Sequence, residues 1–416
     1  MKKLIMISMG LFLFLATNQI QARNYYVKTN GLNTSPGTNW TTAWKTINNT
    51  ITNMASGDVV IVSNGIYNEE ITVCSNQLTF RSLNKRQAVI TGGTTGFDIQ
   101  NCSGTVIDGF VIKKASQYGI RGSSTINNSR IVNNSIYSNP TAGIYISGGN
   151  TTANVILSND IWGLNQTDGI NIDNVDYNQI RFNQIHHNKT GGIVLSGTAK
   201  SNYITRNSFY SNDSWGILLG TGSSGCNFIL TNEFWGYNQD NGIRISSTTR
   251  CIVMSNRLHN GNIGIYVVDS STTNYIIKNQ ICLNQVDGIR LVNGPNNNYV
   301  LQNDIWSNSV SGIRINNGVK NVVRENRIWK NIQGIYLSST EVSNYIVRNL
   351  IWTNTGYGIY LLSSATKNII MSNDISRHPS YGIFMNGGDT NFICANRIHH
   401  NSLSGIFLNS TSLANN

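Results

Sequence analysis

The sequence predicts an all-β solenoid in which short strands wind into stacked coils of about 24 residues. Three observations predict it. Of 416 residues, 63 are Asn and only 12% are Asp, Glu, Lys or Arg; Asn competes with the helical backbone, so a coiled coil or helical bundle is excluded. A Gly-Ile dipeptide recurs thirteen times, at Gly119, Gly143, Gly169, Gly192, Gly216, Gly242, Gly264, Gly288, Gly312, Gly334, Gly358, Gly382 and Gly405, at intervals of 22 to 26 residues. In phase with it runs an Asn followed two residues later by Ile, Leu or Phe, from Asn134, Asn159 and Asn183 through Asn349, Asn373 and Asn396. Self-similarity at this period marks a repeat array, and an array overrides the domain count that length alone suggests.

The elements follow in chain order. Residues 1–22 read as a secretory signal: Lys2-Lys3, the apolar run Leu4 to Ala16, and a small-residue cleavage site ending at Ala22. The apolar run is shorter than the ~20 residues a spanning helix needs, so the mature chain is expected outside the cytoplasm and not membrane-spanning. Residues 23–58 form an N-terminal cap. Tyr25 to Lys28 reads as a strand, and Trp44, Ile47, Ile51 and Met54 lie on one face of a predicted amphipathic helix that Gly57 stops. Such a helix covers the open end of a stack of strands. Residues 59–112 are expected to form less regular first coils, beginning with the apolar run Val59 to Ser63 and the turn Asn64-Gly65. Residues 113–416 form about 13 regular coils.

Within each repeat, Ile or Val sits three residues before the recurrent Asn, as at Ile156, Ile204, Ile276, Val323 and Ile346. The alternation gives short strands separated by Asn, Gly and Ser turns. A coil of three short strands cannot bury its own Ile set, so stacking at roughly 4.8 Å per coil supplies the core. The recurrent Asn is expected at a tight bend, where it tolerates left-handed backbone and its amide bonds the copies above and below. Leucine-rich and helical repeats need spacings that are not present.

The chain resembles the right-handed parallel β-helix superfamily, which includes pectate-lyase-like proteins and periplasmic β-helix proteins of copper-enzyme maturation. The repeats carry the resemblance, together with an N-terminal stretch similar to the cap of secreted members: Gly37-Thr38, Trp44-Lys45-Thr46-Ile47, Gly57-Asp58 and Gly65-Ile66-Tyr67-Asn68-Glu69. It implies a right-handed single-stranded parallel β-helix. It implies no single activity, since the superfamily holds lyases, hydrolases, epimerases and non-catalytic members. Lyases of this fold use an Arg or Lys base with carboxylates that hold Ca2+ or neutralise a uronate, so Ca2+ is the cofactor expected if the chain is a lyase. The Tyr-Gly-x-Asp-Pro-His-Asp signature of alginate epimerases is absent, since Tyr118-Gly119-Ile120-Arg121 matches only its start.

Two outward columns are the candidate surfaces. With the Ile of each Gly-Ile pair pointing inward, the next residue points out. From Arg244 that column reads Arg244, Tyr266, Arg290, Arg314, Tyr336, Tyr360, Phe384, Phe407, rings to stack on sugars and guanidiniums to pair with carboxylate or sulfate. Three residues after each recurrent Asn lies a second column that collects Trp162, Trp235, Trp306, Trp329 and Trp352; regular Trp on a surface invites a partner, though stacking along the rod is the simpler account. The weak catalytic candidates are Asp240, Arg244, Asp287 and Arg290. Asp168 and Asp173 flank one strand without acids above or below them, and His186-His187 and His399-His400 lack the third ligand of a metal site, so no metal is assigned.

The formal charge of +11 falls to +9 once Lys2 and Lys3 leave. For an exported chain this points to an acidic extracellular polysaccharide, in the periplasm, outside the cell or at its surface, rather than to nucleic acid. Eliminative cleavage is the enzymatic extension, and a non-catalytic structural or adhesive surface protein is the alternative. Cys74 with Cys102, and Cys226 with Cys251, stand 28 and 25 residues apart, placing each pair on neighbouring coils within disulfide reach. The Gly220-to-Gly225 run fits a dinucleotide pattern but falls in a turn without a following helix. Only a short tail follows Phe407-Leu408, so either the sequence is a piece of a longer chain or the open last coil is expected to pair end to end with another subunit.

Overall fold

A computed structural model describes residues 22–149, 151–220, 225–236 and 239–409. The signal segment apart from Ala22, residues 221–224 of the glycine-rich run and residues 410–416 of the tail lie outside the described residues.

The chain winds into three parallel sheets of 16, 15 and 15 strands, each strand bonded to its equivalents one coil before and after. One coil shows the plan. Strands Tyr275–Ile277, Gln280–Cys282 and Asp287–Val292 contribute one each to the first, second and third sheets. Gly242 and Gly264 lie on adjacent paired strands of the third sheet, with Ile243 opposite Ile265. Ile276, Ile281, Ile289 and Leu291 are fully buried and stack on the same positions above and below, so the core is one continuous column along the axis.

The bends between strands explain both repeat markers. At the bend that carries the main ladder, the residue immediately before the Asn is left-handed: Phe182, Arg206, Lys278 and Glu325 have φ of 57°, 55°, 53° and 58°. The sequence reading placed that conformation on the Asn itself; the structure moves it one residue earlier, onto chemically unrelated side chains. The Asn is required for its amide. Asn279 accepts from the backbone N–H of Asn256 at 2.9 Å and from its Nδ2 at 3.0 Å, then donates Nδ2 to Val253 O and to Asn303 Oδ1, both at 3.0 Å. Two further ladders flank this one, through Asn154, Asn178, Asn202 and Asn227, and through Asn284, Asn308, Asn331 and Asn354. The glycine of Gly-Ile has a packing cause: a Cβ at Gly288 would lie 2.6 Å from Ile305 Cγ2 and 2.7 Å from Gly312 O.

The N-terminal helix is a correction. Only Asn48–Ile51 is helical, because Trp44, expected in the helix, instead bridges to Val27 and exchanges backbone hydrogen bonds with Tyr26 and Lys28. Its ring stacks on Tyr25 at 4.9 Å, and Glu69 accepts the N–H groups of Ile47 and Asn48. Residues 59–112 pair in the same three sheets as the later coils; they precede the ladder, whose first amide, Asn134, accepts from Phe110 N–H.

All six cysteines are free. Cys226 N–H bonds Arg250 O, one residue short of Cys251, and a slip of one residue turns side chains to opposite faces; Cys251 is buried and Cys226 exposed.

Candidate functional site

Register confirms both columns as physical rows. On the third sheet Arg244 pairs with Tyr266, Tyr266 with Arg290, Arg290 with Arg314, Arg314 with Tyr336, Tyr336 with Tyr360, and Tyr360 with Phe384. These side chains are half-exposed between fully buried apolar neighbours.

The centre of this row is electrostatically built. Asp287, at the start of the strand that carries Arg290, has no exposed side chain; its Oδ2 lies 2.5 Å from Arg290 Nε and 3.3 Å from Arg314 Nε, one coil on. Its Oδ1 accepts the backbone N–H of Ser311 at 3.0 Å. Two guanidiniums thus share one carboxylate. Arg314 also lies over the Tyr336 ring at 5.1 Å, and Arg244 over Tyr266 at 5.5 Å, with Asp269 3.9 Å from Arg244.

Toward the C-terminus the row becomes an aromatic platform. Tyr336 stacks on Tyr360 at 4.9 Å and Tyr360 on Phe384 at 5.2 Å. Two residues that the sequence reading missed complete it: Tyr357 lies 4.8 Å from Phe384, and Tyr381 4.7 Å from Phe407. The signal was present, since both immediately precede the glycine of a Gly-Ile pair. Ring faces turn toward one another along the rod, so edges and hydroxyls, rather than faces, meet solvent. Burial raises the Tyr336 phenol above its ordinary value, which keeps it a neutral donor.

The second column behaves the same way. Trp306, Trp329 and Trp352 are mutually stacked at 5.0 and 4.8 Å with nearly parallel rings. Their faces are occupied by each other.

The four catalytic candidates are not brought together. Asp287 and Arg290 are joined, but Arg244 is separated from Arg290 by the Tyr266 coil, and Asp240 is exposed in the turn before Asn241. Asp168 shares the Asp287 column several coils earlier; buried and bonded to Asn171 at 3.2 Å without a cation, its carboxyl is pushed up to about 6 by desolvation, the Asn171 contact opposing the shift. The indole of Trp215 folds over Gly191, the residue paired above Asp168. Val194, Ser196, Trp215, Leu218 and Arg244 line a shallow depression of about 420 Å³ beside it.

Two family models match parts of the chain: one described as right handed beta helix region over residues 64–234, and one described as periplasmic copper-binding protein over residues 284–416. No curated protein matches. Similar solved structures include a mutant of the periplasmic alginate epimerase AlgG (14% identity, 86% of this chain and 82% of that chain, TM-score 0.49). DFA-IIIase from Arthrobacter chlorophenolicus A6 without its lid is another (14%, 70% and 83%, 0.46). A PL6 alginate lyase bound to a trisaccharide matches at 12% identity over 84% and 82%, with a TM-score of 0.40. Copper can be tested against the residues present: among the described residues no group of three or more His, Cys, Asp or Glu stands together, and His378, in the matched segment, is buried in the third Asn ladder. A closed copper cage does not fit these side chains; the adjacent pair His399 and His400 is what the matched segment offers. The winding of three parallel sheets, the repeat and the match to a right handed beta helix region over residues 64–234 together give this chain the fold of a right-handed parallel β-helix.

Proposed function

We propose that this is an exported protein that binds an acidic extracellular polysaccharide along the third sheet, between Arg244 and Tyr360. One observation carries the reading: Arg290 and Arg314 share the single buried carboxylate of Asp287, leaving a unit of positive charge beside a platform of tyrosine edges. A uronate carboxylate or sulfate is the natural second partner for two guanidiniums holding one anion. Donors repeat at one coil spacing, roughly 4.8 Å, about one sugar residue along a polymer. The Tyr hydroxyls of Tyr266, Tyr336 and Tyr360 supply donors, and the ring edges and the stacked Trp306, Trp329 and Trp352 supply apolar flanks. The net charge of +9 after removal of the signal assists approach. Export to the periplasm or cell surface rests on residues 1–22. Among the described residues, no helix is long and apolar enough to cross a membrane.

Affinity electrophoresis in alginate, pectin and glycosaminoglycan gels tests binding. Retardation is expected for the native chain, with loss in Arg290→Ala and Tyr336→Ala; equal mobility in every gel overturns the reading. Eliminative cleavage, with Ca2+ as its cofactor, is the catalytic extension, read by the ultraviolet absorbance of unsaturated uronate with and without Ca2+. A second reading, a non-catalytic structural or adhesive rod, is favoured by Asp287 being wholly engaged in ion pairing and by Asp240 standing apart from it.

A further inference from the structure

On the second sheet the chain builds the same three-residue arrangement twice. His186 and His187 face each other through Nδ1 at 2.8 Å, and Nε2 of His186 lies 3.0 Å from Asp160 Oδ1. His399 and His400 repeat it, Nδ1 to Nδ1 at 2.6 Å, with His399 Nε2 3.0 Å from Asp374 Oδ1. In each case the Asp opens the second-sheet strand one coil below, and the second His takes the left-handed bend, at φ 53° and 55°. The rings of each pair are close to perpendicular, at 85° and 79°.

The protonation pattern follows from the partners. A carboxylate only accepts, so Nε2 of His186 and His399 must donate, leaving Nδ1 with its lone pair turned to the neighbouring ring. That is how a metal-ligating imidazole is prepared: an outer carboxylate fixes the tautomer and the ring. His186 is further locked by stacking on Tyr210 at 4.3 Å, with Trp162 parallel on its other side at 6.1 Å. Two nitrogens at about 2.0–2.1 Å from one ion stand about 2.8–3.0 Å apart when the angle at the metal is a right angle and about 3.3–3.4 Å apart when it is tetrahedral. The 2.8 Å separation at His186–His187 matches the right-angle case and the 2.6 Å separation at His399–His400 falls below it, on the side away from the tetrahedral value; a right angle belongs to tetragonal Cu2+ or Ni2+ rather than to Zn2+.

We infer that His186–His187 and His399–His400 are two open, two-nitrogen sites for a divalent ion of the Cu2+ or Ni2+ type, with Asp160 and Asp374 as outer-sphere orienters and water completing the coordination. The first pair lies outside the segment matched by the copper-binding family, so the inference stands on geometry in both places. It does not depend on polysaccharide binding, which uses a different sheet.

The test uses the full exported chain, stripped with chelator and titrated calorimetrically with CuCl2, NiCl2 and ZnCl2 in buffer containing glycine as a weak competitor. Two equivalents of Cu2+ per chain are expected, with affinity falling from Cu2+ to Ni2+ to Zn2+, and Cu2+ electron paramagnetic resonance showing two equatorial imidazole nitrogens. His187→Asn removes one equivalent, and His187→Asn with His400→Asn removes both. Asn is chosen because the chain itself places Asn260 after His259 in the same bend at φ 61°, so the fold tolerates it; circular dichroism verifies this. Absence of binding above the glycine background overturns the inference and leaves each pair a simple N–H···N hydrogen bond. Retention of both equivalents in the double variant also overturns it.

Discussion

Asp287 Oδ2 accepts a hydrogen bond from Arg290 Nε at 2.5 Å while none of the Asp287 side chain is exposed. Arg314 reaches the same oxygen from the next coil, so removing the charge leaves two cations facing one another over a neutral amide. Asp287→Asn is therefore expected to destabilise the rod by about 2–4 kcal/mol, at or below the usual range for a broken buried pair because both guanidiniums keep some water. The denaturant midpoint of the variant measures it. A midpoint equal to that of the native chain would falsify the claim that this carboxylate neutralises both arginines.

The ladder amides predict a larger effect from a neutral residue. Asn279→Ala removes the acceptor of both Asn256 N–H and Asn256 Nδ2 and the donor to Val253 O, all in the buried column. Each buried group left unpaired costs about 1–3 kcal/mol, so a loss of at least about 3 kcal/mol is expected. Exposed Asn317, replaced in the same way, serves as the comparison. Similar thermal midpoints for the two variants would count against the ladder as a source of stability.

Much of this architecture was legible in the sequence because a solenoid converts period into contact. Once Gly242 and Gly264 are one coil apart, Arg244 must meet Tyr266, and both surface columns follow without further information. The helix over 44–54 was misread because its apolar spacing is real: Trp44 and Ile47 are buried and Ile51 and Met54 pack on the core, but pairing with Val27 outweighs local helical preference. The ion-pair partner of Arg290 was visible only as a nearby acid, since whether Asp287 is free or consumed depends on a rotamer. Tyr357 and Tyr381 are not given by strand alternation counted outward from the inward Ile, because each stands before the glycine, at the bend that leads into the strand.

Asp168 predicts a pH effect of definite sign. Desolvation raises its carboxyl from 3.8 to about 6 in the folded chain, so the folded state holds a proton that the unfolded chain releases above its own lower value. Folding is unpenalised below about pH 4, loses stability as pH rises from there to about 6, and is then level. Asp168→Asn is expected to stabilise by about 2–3 kcal/mol at pH 7 and to change little at pH 4. Chemical denaturation at the two pH values decides it: an equal effect at both removes the buried acid as the cause.

His378 predicts the opposite slope. It takes an asparagine's place in the third ladder, accepting Asn354 N–H on Nδ1 at 3.2 Å with Nε2 3.3 Å from Ile351 O, a pattern that requires the neutral ring. Burial lowers its ionisation below the ordinary 6.5, only partly offset by the backbone hydrogen bonds to Asn354 and Ile351. The unfolded chain therefore takes up a proton that the folded chain refuses, and stability falls as pH drops through about 6.5. His378→Asn restores the ladder residue found at Asn331 and Asn354 and should abolish that acid-side loss. The gain is expected to be larger at pH 5 than at pH 8, read as the shift in thermal midpoint between the two. A variant as acid-sensitive as the native chain would assign the slope to another group, with His259, whose ionisation burial also lowers, the next to be replaced.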